Sequence, residues 1–331
     1  MSENENKFEP SFENRIDLNG LQVKMEQVKQ EVKKVIVGQD EVIHKLLISI
    51  LAGGHSLLEG MPGVAKTLTA KLIAKSIDGD FKRVQFTPDL MPSDVTGSSI
   101  LDLKTSEFEF KKGPIFGNIV LIDEINRAPA KTQSSLFECM AERQVTIDGI
   151  THAVPDPFVV FATQNPIDHE GTYRLPEAQL DRFLFKIDVN YPEREEELVI
   201  LQQHHALKVH NKEEQVRPVV SVKEIASFQS LIKLLYVHSE IFTYIANIVH
   251  QTRINPNLTL GASPRASIAI LEASKANAAL QGRDFITPDD VKYVASSILE
   301  HRVLLTPEKE IEGFTSAYVI KQIVDSIEIP R

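Results

Sequence analysis

One cysteine, Cys139, is the whole thiol content of these 331 residues. No intramolecular disulfide is possible, and a reducing compartment is expected. In SSLFECMAER the thiol lies among apolar residues at helical spacing, which predicts a small buried core residue. No apolar run is long enough to span a bilayer, because charges interrupt every candidate. The opening MSENENKFEPSFENRIDLNG is polar and acidic with no apolar centre, so it does not read as a secretory signal. Together these absences predict a cytoplasmic protein without a membrane span. Internal repeats and low-complexity tracts are missing too. The ten histidines, among them His204, His205 and His210, have no cysteine or carboxylate pattern around them, which argues against a zinc site. Positive charge is also short. The formal net charge of −10 disfavours a ligand held mainly through a nucleic-acid backbone.

What is present has a clear order. Residues 1–20 read as a flexible tail, with structure starting near Leu21. LQVKMEQVKQEVKKVI places Met25, Val28 and Val32 on one face of an amphipathic helix. A second helix follows, with Asp40 as the expected N-cap and Gly53-Gly54 as its end. HSLLEG is a short apolar strand, and LTAKLIAKSI is a helix soon after it. Further strands are expected at Arg83 to Phe86, Asn118 to Asp123, Phe158 to Thr163 and Phe183 to Val189. Several are continuous apolar runs, as in central strands covered on both faces. The spacing predicts a three-layer α/β domain over 21–195 with a mainly parallel sheet. From 196 to 331 nearly everything has helical period, which predicts a helical second domain. Ser263-Pro264 and Thr287-Pro288 each look like an N-cap followed by proline at the first helical position.

Between the first strand and its helix lies Gly60-Met61-Pro62-Gly63-Val64-Ala65-Lys66-Thr67. It departs from the G-x-x-x-x-G-K-[ST] phosphate loop only where Ala65 replaces the second glycine. Such a loop wraps a triphosphate with backbone N–H groups. Lys66 would reach the β- and γ-phosphates, and the Thr67 hydroxyl would coordinate magnesium. The helix starting near Lys66, with Leu68 in its first turn, points its positive end at the anion. Ala65 costs almost nothing if its φ is negative, and about 1–2 kcal/mol if it is positive. NIVLIDEINRAP ends an apolar strand in two carboxylates at the edge where open α/β sheets bind ligands. Asp123 is the candidate metal ligand, and Glu124 the candidate base for the attacking water. Asn165, after the next strand, either holds that water or the γ-phosphate through its neutral amide or is simply part of an Asn-Pro turn. Arg182, before a strand, is either functional or a surface arginine paired with Asp181 or Glu177. Arg265 occupies the first turn of a helix, a poor place for a cation, which a bound phosphate or plain solvent exposure would explain.

These elements, followed by a helical domain, resemble the AAA+ ATPases, and the wording is similar to the MoxR family. The blocks that carry the resemblance are FTPDLMPSDVTG, GPIFGNIVLIDEINRAPAKTQSSLFECMAERQVTIDG, FATQNPIDHEGTYRLPEAQLDRFLFKIDV and GASPRA. It is dense from about Val35 to Val189 and thinner through the lid. The resemblance implies a P-loop NTPase core with a C-terminal helical lid, using ATP or ADP with Mg2+. It also implies Gly38 and Gln39 beside the adenine, Asn165 as a first sensor and Arg265 as a second sensor reaching in from the lid. Arg182 would be an arginine finger acting on a neighbouring subunit's nucleotide. Active sites would then lie between protomers. The resemblance also implies a nucleotide-dependent homo-hexameric ring and a chaperone role on a client protein, often with a von Willebrand factor A domain partner. The alternative is a nucleic-acid motor or loader on the same scaffold. The family's two inserted hairpins speak against it here. The second, with its turn at Asp148-Gly149, has no Lys or Arg at its tip. The first, about Gly97 to Phe110, mixes lysines with Asp102, Glu107 and Glu109, and neither is a basic stripe with stacking aromatics.

Overall fold

The computed structural model describes residues 15–330 except 105, 167–172, 174 and 207–211. Most of the expected N-terminal tail lies outside the described residues. The first helix, α1 (Asn19–Lys33), starts two residues before Leu21, because the Asp17 carboxylate accepts the Asn19 N–H at 2.9 Å. Its buried face is Leu21, Met25, Val28 and Val32. In α2 (Asp40–Leu51), Asp40 is the first helical residue rather than the N-cap. Its carboxylate pairs with Lys33 and, at 3.7 Å, with Lys29, and still sits favourably at the helix's positive end. The preceding Gln39 takes the cap position and uses its side chain elsewhere.

Five strands form the central sheet: β1 (Ser56–Gly60), β2 (Phe81–Gln85), β3 (Ile119–Asp123), β4 (Val159–Gln164) and β5 (Phe185–Val189). Their order is β5-β1-β4-β3-β2, and every pairing is parallel. Alternate residues of one strand therefore feed different cores. Ile119 and Leu121 join the layer holding α1, α2 and α3 (Lys66–Ser76), while Val120 and Ile122 join the layer holding α4 (Ala130–Glu142). Cys139, on α4, is buried in that second layer, as its helical spacing predicts. Both faces are covered, so the strands need no polar side.

Two antiparallel hairpins branch from the core, Gly97–Asp102 with Glu107–Lys112 and Gln144–Ile147 with Ile150–Ala153. The second turns at Asp148 and Gly149, both at positive φ, as the Asp-Gly signal requires. After α5 (Arg194–Ala206) the chain is helical: α6 (Val222–Lys233), α7 (Ser239–Ile254), α8 (Pro264–Leu280), α9 (Pro288–Leu299) and α10 (Ser316–Ser326). Among the described residues an isolated parallel bridge between Tyr236 and Phe285 and two short strand pairings interrupt it. Val220–Ser221 lies parallel to Ile77–Asp78, and Leu258–Leu260 lies antiparallel to Leu304–Leu305. Apolar residues of α6 to α10 share one buried cluster with α1, α2 and β5.

Candidate nucleotide-binding site

All five strands end on one edge, at Gly60, Gln85, Asp123, Gln164 and Val189, so the polar residues there converge. Gly60 is required by proximity: a Cβ would stand 2.3 Å from the Val189 carbonyl of β5. The loop beyond it turns at Gly63, φ +87°, and again at Ala65, φ +63°. Ala65 thus takes the left-handed conformation at a cost of about 1–2 kcal/mol. The Lys66 ammonium donates to the Gly60 carbonyl and, at 2.9 Å, to the Met61 carbonyl.

Across the loop stands Asp123, 2% exposed, at the tip of β3. Burying a carboxylate demands partners, and it has three. Thr67 Oγ1 donates at 2.7 Å and Thr163 Oγ1 lies at 3.3 Å, both on Oδ1, while Arg83 Nε donates to Oδ2 at 2.6 Å. Glu124 follows at φ +55°, another left-handed non-glycine residue. Its N–H donates to Thr163 Oγ1 at 3.1 Å. Its Oε2 accepts from Gln85 Nε2 at 2.8 Å and lies 3.2 Å from Arg127 Nε. Strain of this kind at adjacent loop and strand ends is a mark of a site rather than of packing.

Pro62 to Leu68, Asp123, Glu124 and Asn165 line one cavity of about 610 Å³. The same loop forms a wall of a second cavity of about 310 Å³. Val35, Ile36, Val42, Val189, Pro192 and Ile200 supply apolar surface there, and Gly38 and Gln39 lie at its rim. Gly38 has φ +76°, and a Cβ on it would overlap the Glu196 carboxylate at 2.3 Å. Gln39 ties this cavity to the loop. Its Nε2 donates to Val64 O and its Oε1 accepts from Thr69 Oγ1, each at 2.7 Å. An elongated ligand with an apolar ring at one end and a polyanion at the other matches the pair of cavities.

Gly60 and Met61 stand behind the loop as acceptors for Lys66. Arg182 and Arg265 line neither cavity. Arg182 Nη1 donates to the Phe137 carbonyl at 3.0 Å. Arg265 is exposed, with Nη1 3.6 Å from Asp181 Oδ2, which offsets its position at a helix start. Sequence reasoning missed Arg83, Gln85, Thr163 and Arg127, which hold the two carboxylates. The one available signal was alternation: Arg83 and Gln85 flank the buried Val84 on β2. Thr163 was visible only as the end of an apolar strand.

Residues 55–185 match a family described as ATPases associated with various cellular activities, and residues 250–323 match an AAA lid domain. An uncharacterized Bacillus subtilis protein, YeaC, is 47% identical over 91% of this chain and 93% of its own. The Mycobacterium tuberculosis protein named Chaperone MoxR1 is 42% identical, over 91% of this chain and 81% of its own. Protein MoxR of Methylorubrum extorquens is 30% identical over 86% and 88%. The crystal structure of a Cytophaga hutchinsonii protein, provisionally assigned as an ATPase, superposes with a TM-score of 0.87. It is 42% identical and covers 95% of this chain and 97% of its own. Identities of 42% and 30% to proteins named MoxR over most of each chain, with the matches to the ATPase family and to its lid domain, show the relationship: the chain belongs to the MoxR family of AAA+ ATPases.

Proposed function

We propose that this protein hydrolyses ATP and uses the cycle to remodel, mature or activate a client protein. The observation that carries the reading is the meeting of Thr67 and Asp123 at 2.7 Å in the cavity that also holds Glu124 and the loop. The proposed division is a core over 21–195 and a lid over 196–331. The adenine would occupy the apolar cavity beside Gly38 and Gln39. The loop N–H groups and Lys66 would take the phosphates, with Lys66 leaving its loop carbonyls for the new anion.

The oxygen donors Thr67 and Asp123 fit a hard cation that also draws on phosphate oxygens, and Mg2+ is the natural candidate. Bound there, it would neutralise charge on the triphosphate. Glu124 would take the proton of the attacking water, and Gln85 and Arg127 would hold its carboxylate in place until then. Asn165 would orient the same water. Arg182 would serve the nucleotide of the next copy in a ring, six copies in the family pattern, with Arg265 sensing phosphate from the lid. A client paired with a von Willebrand factor A domain protein is the partner class this reading expects, in the cytoplasm.

A protein client is favoured over a nucleic acid by the first hairpin. Leu103 and Phe108 are 85% and 75% exposed there, beside Glu107 and Glu109. That surface suits apolar chain segments, and with Lys104, Lys111 and Lys112 offset by Asp102, Glu107 and Glu109 it offers a polyanion no basic stripe. Among the described residues no helix is long and apolar enough to cross a membrane. The test is Glu124→Gln. Turnover should fall by about 10²–10⁴ while ATP binding persists, since only the base is lost. Unchanged turnover would show that Glu124 is not the base.

A further inference from the structure

Arg302 follows α9 in the helical part of the chain, yet its side chain is 3% exposed. A guanidinium that deeply buried must spend its donors on the protein. Its targets surround Arg182. Nε donates to Asp181 Oδ1 at 2.7 Å. Nη2 donates to the carbonyls of Asp181 at 3.0 Å and Phe183 at 2.5 Å, and Nη1 to that of Leu184 at 3.2 Å. Nη1 also lies 2.9 Å from Nε2 of His301 and donates to Ile298 O at 2.5 Å. The backbone on both sides of Arg182 is therefore gripped by one residue of the lid region.

The other oxygen of Asp181 faces α8. Ser263 Oγ lies 3.4 Å and Arg265 Nη1 3.6 Å from Oδ2. One carboxylate thus joins three lid side chains to the residue that precedes Arg182. The Arg182 side chain itself rests on the Phe137 carbonyl of α4. If the lid shifts relative to the sheet, the backbone at 181–184 is pulled by Arg302 while the tip of Arg182 is held by the core.

We propose that Arg302, with Asp181, is a positioning residue for Arg182, so that lid placement in one copy sets the arginine used by the neighbouring copy. This rests on the reading of Arg182 as a residue that serves an adjacent site. Lid movement in one subunit then changes hydrolysis in the next without any contact between the two nucleotides.

The test uses the full chain carrying Arg302→Met, alone and mixed with Glu124→Gln. Alone, its turnover should fall about 10²-fold, the usual effect of a misplacement near 1 Å, with ATP affinity little changed. In the mixture each Arg302→Met copy keeps its own base and can receive a well-placed arginine from a Glu124→Gln neighbour. Turnover should rise several-fold above the sum of the two variants. A purely structural defect is not repaired in trans. The control mixture is Arg182→Ala with Glu124→Gln. If the control is restored and the Arg302 mixture is not, or if Arg302→Met alone is fully active, the positioning role is overturned. If the control itself is not restored, the shared-site reading falls and the proposal with it. Should Arg302→Met fail to unfold cooperatively, Asp181→Asn enters the same assays. It keeps the shape and the three carbonyl contacts, so a weaker loss of the same kind is expected, and unchanged turnover overturns the proposal.

Discussion

Ala65 and Glu124 are two non-glycine residues in left-handed backbone, at φ +63° and +55°, flanking one cavity. Ala65→Gly removes a penalty of about 1–2 kcal/mol but gives the unfolded chain more freedom, worth about 0.5–1 kcal/mol. The net effect should be a melting temperature slightly raised or unchanged, with ATPase turnover within several-fold of the parent. A gain of orders of magnitude in steady-state assays would show that the alanine cripples the loop. Gln85→Ala removes the amide that holds Glu124 at 2.8 Å. A hydrogen bond to a charged group contributes about 1.5–3 kcal/mol, so single-turnover rates should change by roughly tenfold or more while ATP affinity stays put. The identities of Lys66, Thr67, Asp123 and Glu124 were legible because each stands at a fixed offset within one strand-to-loop motif. Gln85 and Arg83 were not. Their partners lie 39 and 40 positions away, and a short polar alternation does not say what it faces.

Between elements, Gln39 is the joint. It caps nothing at the start of α2 but bonds to Val64 O and to Thr69, fixing the turn before α2 against the phosphate loop. Gln39→Ala leaves Val64 O without the Gln39 donor, a cost of about 1–3 kcal/mol, while the fully buried Thr69 hydroxyl keeps its bond to the Ala65 carbonyl at 3.0 Å. ATP binding measured by calorimetry should weaken, and hydrolysis at saturating ATP should change much less. The parallel sheet could be read from the sequence because its strands are apolar runs between turn residues. The Thr287 cap could be read too, and it forms a full capping box with Asp290. Pairings two or three residues long, such as Val220–Ser221 with Ile77–Asp78, carry no periodicity and left no trace. Arg302 was equally hidden, since a lone arginine after a helix looks like a surface residue until its five oxygen acceptors are assembled around it.

At the scale of the whole molecule, the buried His55 and the partly buried Glu300 pull stability in opposite directions with pH. Burial holds His55 down to about 4, against a small upward pull from the Met140 carbonyl. Its open-chain value is near 6.5, so its contribution is full above that and is lost as pH falls toward 4. Glu300 is raised to about 7 by burial and then by Asp188 and Glu59, opposed by Lys186 and Lys45. Its open-chain value is near 4.3, so the folded state gains from it at low pH and loses that gain as pH rises through 7. Glu300→Gln should therefore raise the melting temperature more at pH 8 than at pH 5, by on the order of 5 °C. The variant should also show a steeper acid loss, because the opposing histidine is no longer masked. Equal shifts at both pH values would place Glu300 in water instead.

The short pairing at the far end of α3 has a mechanical meaning. α3 begins at the phosphate loop and ends where Ile77–Asp78 hydrogen-bonds with Val220–Ser221, the segment that leads into α6. Ser76 O accepts the Val219 N–H at 2.8 Å, and Lys24 Nζ holds Val219 O at 2.8 Å. Eleven residues of helix make a rod about 16 Å long. A rod anchored at both ends passes an axial push on as displacement instead of absorbing it as bending. An axial push on the loop at Lys66 would therefore reach Val220–Ser221 and the start of α6 without passing through Arg265 or Arg302.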